Sequence, residues 1–340
     1  MSQPSAFKLS ICIATYNRAA FIGTTLERII AQVTDDCEIV VSDDASTDDT
    51  ERVVSEYARR CDRLRYIRQE TNIDLDRNFD RVVELARGEY CWLMTDDDLL
   101  KPGAITAVLE ALRRDFSLVL VNWEMRDLTM SRVLQRRWLE FDSDRVYGPG
   151  LEEMDRLVCD TGPTLRFIGC IVIKRSIWLA REKEQYYGSL WIHVGVILQK
   201  PLPGETLVIA EPFISYRWNN TTDWSLTLFE VLLSLVSLGR SLPLSESAKS
   251  RLCGTEPWRS SRTLLLMRGT GEYSLAEYRR WIHPRLRSIR EMLIPVLIAL
   301  LPGMLVNAFW VLYYSVVPCP FRSGSLQRMK SHFRVHLRHW

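Results

Sequence analysis

Tyr90-Cys91-Trp92-Leu93-Met94-Thr95-Asp96-Asp97-Asp98 is a short apolar run that stops on a hydroxyl and three carboxylates. So short and unbroken an apolar run reads as a strand covered on both faces, the kind found in parallel sheets. Adjacent carboxylates repel one another, and burying them unpaired is costly. A solvated loop or a helix N-terminus would also tolerate them. Their position directly after Trp92-Leu93-Met94, at the mouth of a buried strand, favours a binding role. Carboxylates held at a sheet rim suit a hard divalent cation, Mg²⁺ or Mn²⁺, which takes one or two protein carboxylates and completes its shell with phosphate oxygens.

The same design recurs upstream. Leu9–Ala14 is apolar and ends on Thr15-Tyr16-Asn17-Arg18; Glu38–Ser42 is apolar and ends on Asp43-Asp44-Ala45-Ser46-Thr47-Asp48-Asp49-Thr50. Helical spacing predicts helices over 19–32, 50–60, 78–86 and 103–113, with further strands at 64–67 and 117–122. This β-α alternation implies an α/β fold, a mostly parallel sheet with helices on both faces. Ligands in such sheets bind beyond the carboxyl ends of the strands, where Thr15–Asn17, Asp43–Asp44 and Thr95–Asp98 all fall. The Asp43–Thr50 run also caps the helix after it, but a cap needs only one or two of these residues. No G-x-G-x-x-G and no G-x-x-x-x-G-K-[ST] is present, which removes the defining signals of dinucleotide-dependent dehydrogenases and P-loop enzymes.

Composition narrows the classes further. The chain has 340 residues, 47% hydrophobic and 25% charged, values that exclude a disordered, collagenous or coiled-coil protein. Lys+Arg 44 against Asp+Glu 42 leaves a net charge of +2, so nothing points to nucleic acid. Eight cysteines without a C-x-x-C pair read as buried free thiols in a reducing compartment. Met1–Ser10 lacks the apolar core of a signal peptide, so the body of the protein is expected in the cytoplasm.

In order and spacing, Leu9–Arg18, Ile39–Thr50 and Ala86–Pro102 resemble the family 2 glycosyltransferases of the GT-A fold. The likeness is close over 8–125 and looser to about 220, and the motifs are most similar to transferases of bacterial O-antigen assembly, of the abequosyltransferase-like kind. It implies a nucleotide diphosphate sugar donor and an Mg²⁺ or Mn²⁺ cofactor. Ala14 and Tyr16 would lie beside the base, Asp44 would accept a hydrogen bond from it, and Asp43 would support the loop. Asp96 would face the ribose or diphosphate, and Asp97 would ligate the metal with Asp98 next to it. Ala14 stands where the family often has Pro, and Thr95 where many members have the first Asp of D-x-D. Arg77 is expected to pair with the diphosphate or to lie at the surface. Arg217 is expected near the phosphates, within an aromatic segment whose Trp218 or Trp224 suits a sugar face. Inverting members use an acid as catalytic base, yet at that place in Gly188–Val196 stands His193. A neutral imidazole there can take the acceptor proton, ligate metal or simply be a core histidine. Glu211 and Asp223 are spare carboxylates.

The C-terminal region has a character of its own. Arg279–Arg290 holds five Arg and no acid; Met292–Pro318 is 27 residues without charge; Cys319–Trp340 holds five Lys/Arg and no acid. About 20 apolar residues span a bilayer, but Pro295, Pro302, Gly303 and Asn307 interrupt this run. A shallow or re-entrant hairpin, one tilted span, and a buried helix pair are the three readings, with membrane association preferred. The expected division is 1–225 for the GT-A domain, with a donor half about 8–125 and an acceptor half about 126–225, then 226–290 as helical linker and 291–340 as an apolar segment with a basic tail. The expected activity is sugar transfer to a hydroxyl of a polyprenyl-linked or surface polysaccharide, at the cytoplasmic face of a bacterial inner membrane. The alternatives are a nucleotidyltransferase that makes the activated sugar, against which stands the Gly-free Thr15–Phe21 loop, and an inactive membrane scaffold of the same fold.

Overall fold

A computed structural model of the chain describes residues 7–218, 220, 228–254, 256–317, 326 and 329. Asp223, Trp224 and nearly all of the basic tail lie outside the described residues. The described chain forms two compact units, one drawn from Met1–Arg217 and Leu238–Leu252, the other from Trp218–Ser237 and Cys253–Trp340.

The first unit follows the expected alternation: β1 Phe7–Thr15, α1 Ile22–Ile30, β2 Cys37–Asp43, α2 Thr50–Ala58, β3 Leu64–Arg68, α3 Leu75–Leu85, β4 Gly88–Met94, β5 Leu99–Leu100, α4 Ala104–Ala111 and β6 Leu118–Arg126. Then come β7 Val133–Gln135, β8 Arg145–Tyr147, α5 Leu151–Thr161, β9 Ile171–Lys174, α6 Arg175–Leu179, α7 Ile192–Leu198 and β10 Thr206–Arg217. The strands form one sheet ordered β3-β2-β1-β4-β9-β6-β10-β5. β3, β2, β1 and β4 are parallel, β9 runs antiparallel between β4 and β6, and β6 and β10 are parallel again. The sheet is therefore mixed but mostly parallel among its long strands. Its central strands are buried on both faces: every residue from Leu9 to Thr15 and from Cys37 to Asp43 is covered, as the unbroken apolar runs required.

Three segments differ from the sequence reading. Residues 127–160, whose irregular hydropathy pattern reads as a loop-rich excursion, contain the three-turn helix α5, which starts after Gly150 with Glu152 and Glu153 in its first turn, where acids suit the helix dipole. The helix expected from Asn78 starts at Leu75, because Asp74 caps it by accepting from the Arg77 amide at 3.0 Å. Within the helical linker expected over 226–290, the stretch Gly239–Ser260 reads as loop-like, yet residues 246–253 form the helix α9.

The second unit contains α10 Ser261–Thr270, α11 Leu275–Glu277, α12 Ile289–Leu300 and α13 Gly303–Val316, while α8 Leu228–Ser241 runs from this unit into the first. Phe229, Leu264, Met267, Tyr273, Ile282 and Ile298 pack into one apolar core. The expected 27-residue uncharged run thus folds as two helices with 88° between them, and no single described helix is long and apolar enough to cross a membrane.

Leu93 is fully buried on β4, registered against Cys12 and Ile171 of the flanking strands. Leu93→Ala should lower the free energy of unfolding in urea by about 2–5 kcal/mol through the cavity it leaves, and a cost below about 1 kcal/mol would contradict this packing.

Candidate active site

The carboxyl ends of β2, β1 and β4 lie side by side, so their three loops share one rim. β1 separates the other two strands, which places the Asp43–Asp44 turn and the Asp96–Asp98 turn about 10 Å apart, two strand spacings. That is a nucleoside diphosphate's scale rather than a single ion's.

At the β2 end the two acids divide the work. Asp43 is fully buried and already used: Oδ1 accepts from the Ser46 amide at 2.8 Å and Oδ2 from the Tyr66 hydroxyl at 2.6 Å. These two bonds hold the turn after β2. Asp44 donates its amide to the Thr15 carbonyl at 2.9 Å and accepts from the Ile73 amide at 2.6 Å. Burial pushes its carboxyl up to about 6, against the pull of the Ile73 amide. Ala14 is buried beneath this turn, and the Tyr16 ring stands 45% exposed beside it.

The loops are latched by side chains that the sequence motifs contain but whose tasks are three-dimensional. Asn17, at φ 54, accepts from the amides of Thr47 and Asp48 and donates its own amide to Ser46. Asn78, buried on α3, accepts from the Ser42 hydroxyl and donates to the Ser42 carbonyl at 3.0 Å. Arg18 donates its amide to Thr50 and sets its guanidinium 3.3 Å from Asp96.

The three consecutive acids have three different surroundings. Asp96 is buried beside Arg18; burial first and the Asp97 charge second push it up to about 7, with Arg18 opposing. Asp98 is buried with both oxygens engaged, accepting from the Arg217 amide and from the Thr95 hydroxyl, each at 2.6 Å. Burial and the neighbouring Asp97 push it well up. Asp98 is therefore an anchor that joins β4 to the end of β10, not the open metal position expected of it. Asp97 alone of the three is only half-buried. Thr25 of α1 fastens the turn from below, donating to the carbonyls of Asp96 and Asp98.

Arg217, expected near the phosphates, clamps this turn. Its Nε donates to the Asp97 carbonyl at 2.9 Å and its Nη1 to the Leu128 carbonyl at 2.6 Å, with the guanidinium over the Phe21 ring. Arg77 is not at the rim contacts: its side chain is half exposed, pairs with Asp74 and lies over the Tyr187 ring.

Farther along the chain, His193 and its surroundings are enclosed by α3 and α7. His193 lies in α7, 3% exposed, and burial pushes it down to about 4 against the pull of the Leu165 and Arg166 backbone. An imidazole so weakly basic and so enclosed suits packing against Trp191, 6.2 Å away, better than proton transfer. The acid that the sequence reading missed is Asp76. Its oxygens accept from the amides of Leu190 at 2.7 Å and Ile192 at 3.1 Å, which caps α7, and burial pushes it up to about 6. One turn on, Asp80 accepts from Trp178 and Tyr187, so α3 holds the whole 178–192 stretch. Near the ends of β6 and β10, Trp123 stacks on Trp138 at 5.2 Å and Phe167 packs against both Trp123 and Tyr216. Of the tryptophans expected to face a sugar, Trp218 is half-buried and Trp224 lies outside the described residues.

Among the described residues no three His, Cys, Asp or Glu side chains form a closed cation cage. The donor set instead fits a hard cation that takes one carboxylate, Asp97, and fills its shell with diphosphate oxygens and water. The Thr15 hydroxyl, buried at the same rim, hydrogen-bonds the Asp96 carboxyl and opposes the upward push of burial there.

The mostly parallel sheet, with acidic turns after β2 and β4, is of the GT-A type. Residues 10–177 match the family described as Glycosyl transferase family 2, and through them the chain belongs to that family. It is 29% identical to the abequosyltransferase RfbV of Salmonella typhimurium over 62% of this chain and 67% of that protein. It is 28% identical to the GalNAc(5)-diNAcBac-PP-undecaprenol beta-1,3-glucosyltransferase of Campylobacter jejuni over 55% of this chain and 59% of that one. Among solved structures, S. aureus TarS 1–349 in complex with UDP-GlcNAc superposes with a TM-score of 0.56 at 14% identity, covering 98% of this chain and 92% of that one. A mannosyltransferase from Pyrobaculum calidifontis in complex with GDP-Man and Mn²⁺ gives 0.52 at 15% identity, covering 98% and 90%. At such identities these two structures speak for the fold alone.

Asp44 carries a testable signature. Its folded value of about 6 lies above the ordinary 3.8, so its contribution to stability is complete in acid and is lost as pH rises toward 6. Asp44→Asn should gain in melting temperature over wild type between pH 5 and pH 8, while donor binding weakens. Melting curves across that range check it, and a gain that shrinks with pH refutes it.

Proposed function

We propose that the chain moves a sugar from a nucleotide diphosphate sugar to a hydroxyl of a lipid-linked or surface polysaccharide, with a divalent cation held by Asp97. The observation that carries the reading is the shared rim: Asp44 after β2 and Asp97 after β4, two strand spacings apart, with Arg18 between them at Asp96.

In this reading Tyr16 and Asp44 orient the base. Asp43 and Asn17 hold the turn in which Asp44 sits. Bound Mg²⁺ or Mn²⁺ would supply charge stabilisation for the leaving diphosphate. Arg217, Thr25 and Asp98 keep the Asp97 turn in one place, so that its carboxylate is preset rather than organised during reaction. The acceptor hydroxyl attacks the anomeric carbon opposite the diphosphate, and the family's usual inversion follows. His193 is assigned to packing, and the proton of the acceptor goes to a group other than its imidazole. Trp123, Trp138, Phe167 and Tyr216 offer apolar ring faces for the acceptor side. The names of the relatives support a lipid-linked or polysaccharide acceptor, and the apolar pair α12–α13 supports work at the cytoplasmic face of a bacterial inner membrane.

Asp97→Ala should reduce transfer at least about 10²-fold, and EDTA should abolish it until Mn²⁺ or Mg²⁺ is restored. Full activity of the variant, or indifference to EDTA, ends the metal role. Release of pyrophosphate instead of nucleoside diphosphate would mean nucleotidyl transfer. His193→Phe should keep transfer within about tenfold, as a packing residue does. A thousandfold fall with loss of the acidic limb of the kcat–pH profile, in a variant that melts like wild type, would return the base to His193.

A further inference from the structure

We propose that α12 and α13 form a monotopic foot that lies within one leaflet of an anionic bilayer, entered through an arginine collar and never crossing it. The proposal deepens the membrane reading above and does not depend on the catalytic one.

Each helix has two opposed apolar faces. Inward, Ile298 and Ala299 of α12 join the core around Leu264 and Met267 of α10, while Val306, Trp310 and Tyr314 of α13 form a second cluster with Met329. Outward, Ile289, Leu293, Leu297 and Leu300 of α12 follow one helical stripe, and Leu305, Phe309, Leu312 and Val316 of α13 follow another. These outward residues are between 51% and 76% exposed. A buried helix of a water-soluble core would not show a second apolar stripe to solvent, and a contiguous surface of this kind marks an interaction site.

Its occupant is indicated by charge. Arg279, Arg280, Arg285, Arg287 and Arg290 are all exposed, lie immediately before or within the first turn of α12, and have no acid among them. Nearby acids are Glu277 and Glu291, and Glu230 pairs with Arg280 at 3.4 Å. An apolar stripe entered through clustered arginines fits acyl chains beneath anionic headgroups better than a second protein copy, whose identical collar would repel it.

The bend excludes a span. At 1.5 Å per residue the helices are about 18 and 21 Å long, short of a hydrocarbon core of about 30 Å. Straightening the 88° break would bring them to spanning length, but the break is tied down. Arg268 donates to the Leu301 carbonyl at 2.7 Å, just past the end of α12. Asn307 of α13 donates to the Gly269 carbonyl at 2.8 Å, and Tyr273 donates to the Pro295 carbonyl at 2.8 Å. A Cβ on Gly269 would come within 3.1 Å of the Trp310 ring, so α10 and α13 touch almost backbone to backbone. A span would forfeit these bonds together with both inward faces.

The full chain should float with phosphatidylglycerol-containing vesicles, and weakly or not at all with pure phosphatidylcholine. The double variant Leu305→Glu/Phe309→Glu should bind the anionic vesicles at least about tenfold more weakly, with unchanged melting temperature and unchanged binding of nucleotide sugars. Trypsin added to sealed, inside-out inner-membrane vesicles should cut at the arginine collar and in the 319–340 tail alike. No flotation, equal flotation by the double variant, a tail fragment protected by the membrane, or a lipid-indifferent dimer abolished by the double variant would each overturn the proposal. Flotation without any nucleotide-sugar binding would instead count against the enzymatic reading and leave the foot intact.

Discussion

Repulsion among neighbouring carboxylates governs the part of this protein built on β1, β2 and β4. Asp96, Asp97 and Asp98 cannot all be buried and ionised without partners, and the fold resolves the conflict by treating each differently. Asp96 takes Arg18, Asp98 takes the Thr95 hydroxyl and the Arg217 amide, and Asp97 stays at the surface of the turn. Two of the three acids are therefore spent on holding the third. Burial and the Asp97 charge push both Asp96 and Asp98 upward, and in the proposed reading a cation at Asp97 would offset that charge.

Much of this part was legible because strands buried on both faces leave a plain sequence mark. An apolar run closed by polar residues states both the strand and the edge at which it ends; β1 carries that mark with Thr15–Arg18, and β2 and β4 carry it with acids. Residue choice within the loops was less legible, since Asp43 and Asp44 look alike in sequence and differ only in that Tyr66 and Ser46 reach one and Ile73 the other. Arg18, Thr25 and Asn78 act through partners 36 to 78 positions away, and no local pattern announces such partners.

The region around α7 shows the opposite case. There the expected acid was sought at its place in the chain, after Gly188, and His193 was found. The acid that does sit at the mouth of α7 comes from α3, more than a hundred positions earlier. Asp76 looked like one more charge on a polar helix start, and only the docking of α7 onto α3 buries it. The α5 helix was missed for a related reason: Gly148, Pro149 and Gly150 before it read as loop, while its apolar contacts lie elsewhere in the fold.

The second unit tests what hydropathy alone can decide. Twenty-seven uncharged residues pass for a membrane span by length, yet the chain divides them at Leu301-Pro302 and gives each half a buried face. Pro302 fixes its own backbone and ends α12, and Arg268 accepts the consequence by donating to the Leu301 carbonyl, which the helix no longer satisfies internally. A hydrocarbon interior would leave that carbonyl and Asn307 without water, so both would need these same protein partners there. The polar atoms that interrupt the run are thus the ones that fix its geometry, and the apolar residues left over after packing are the ones that remain on the outer face.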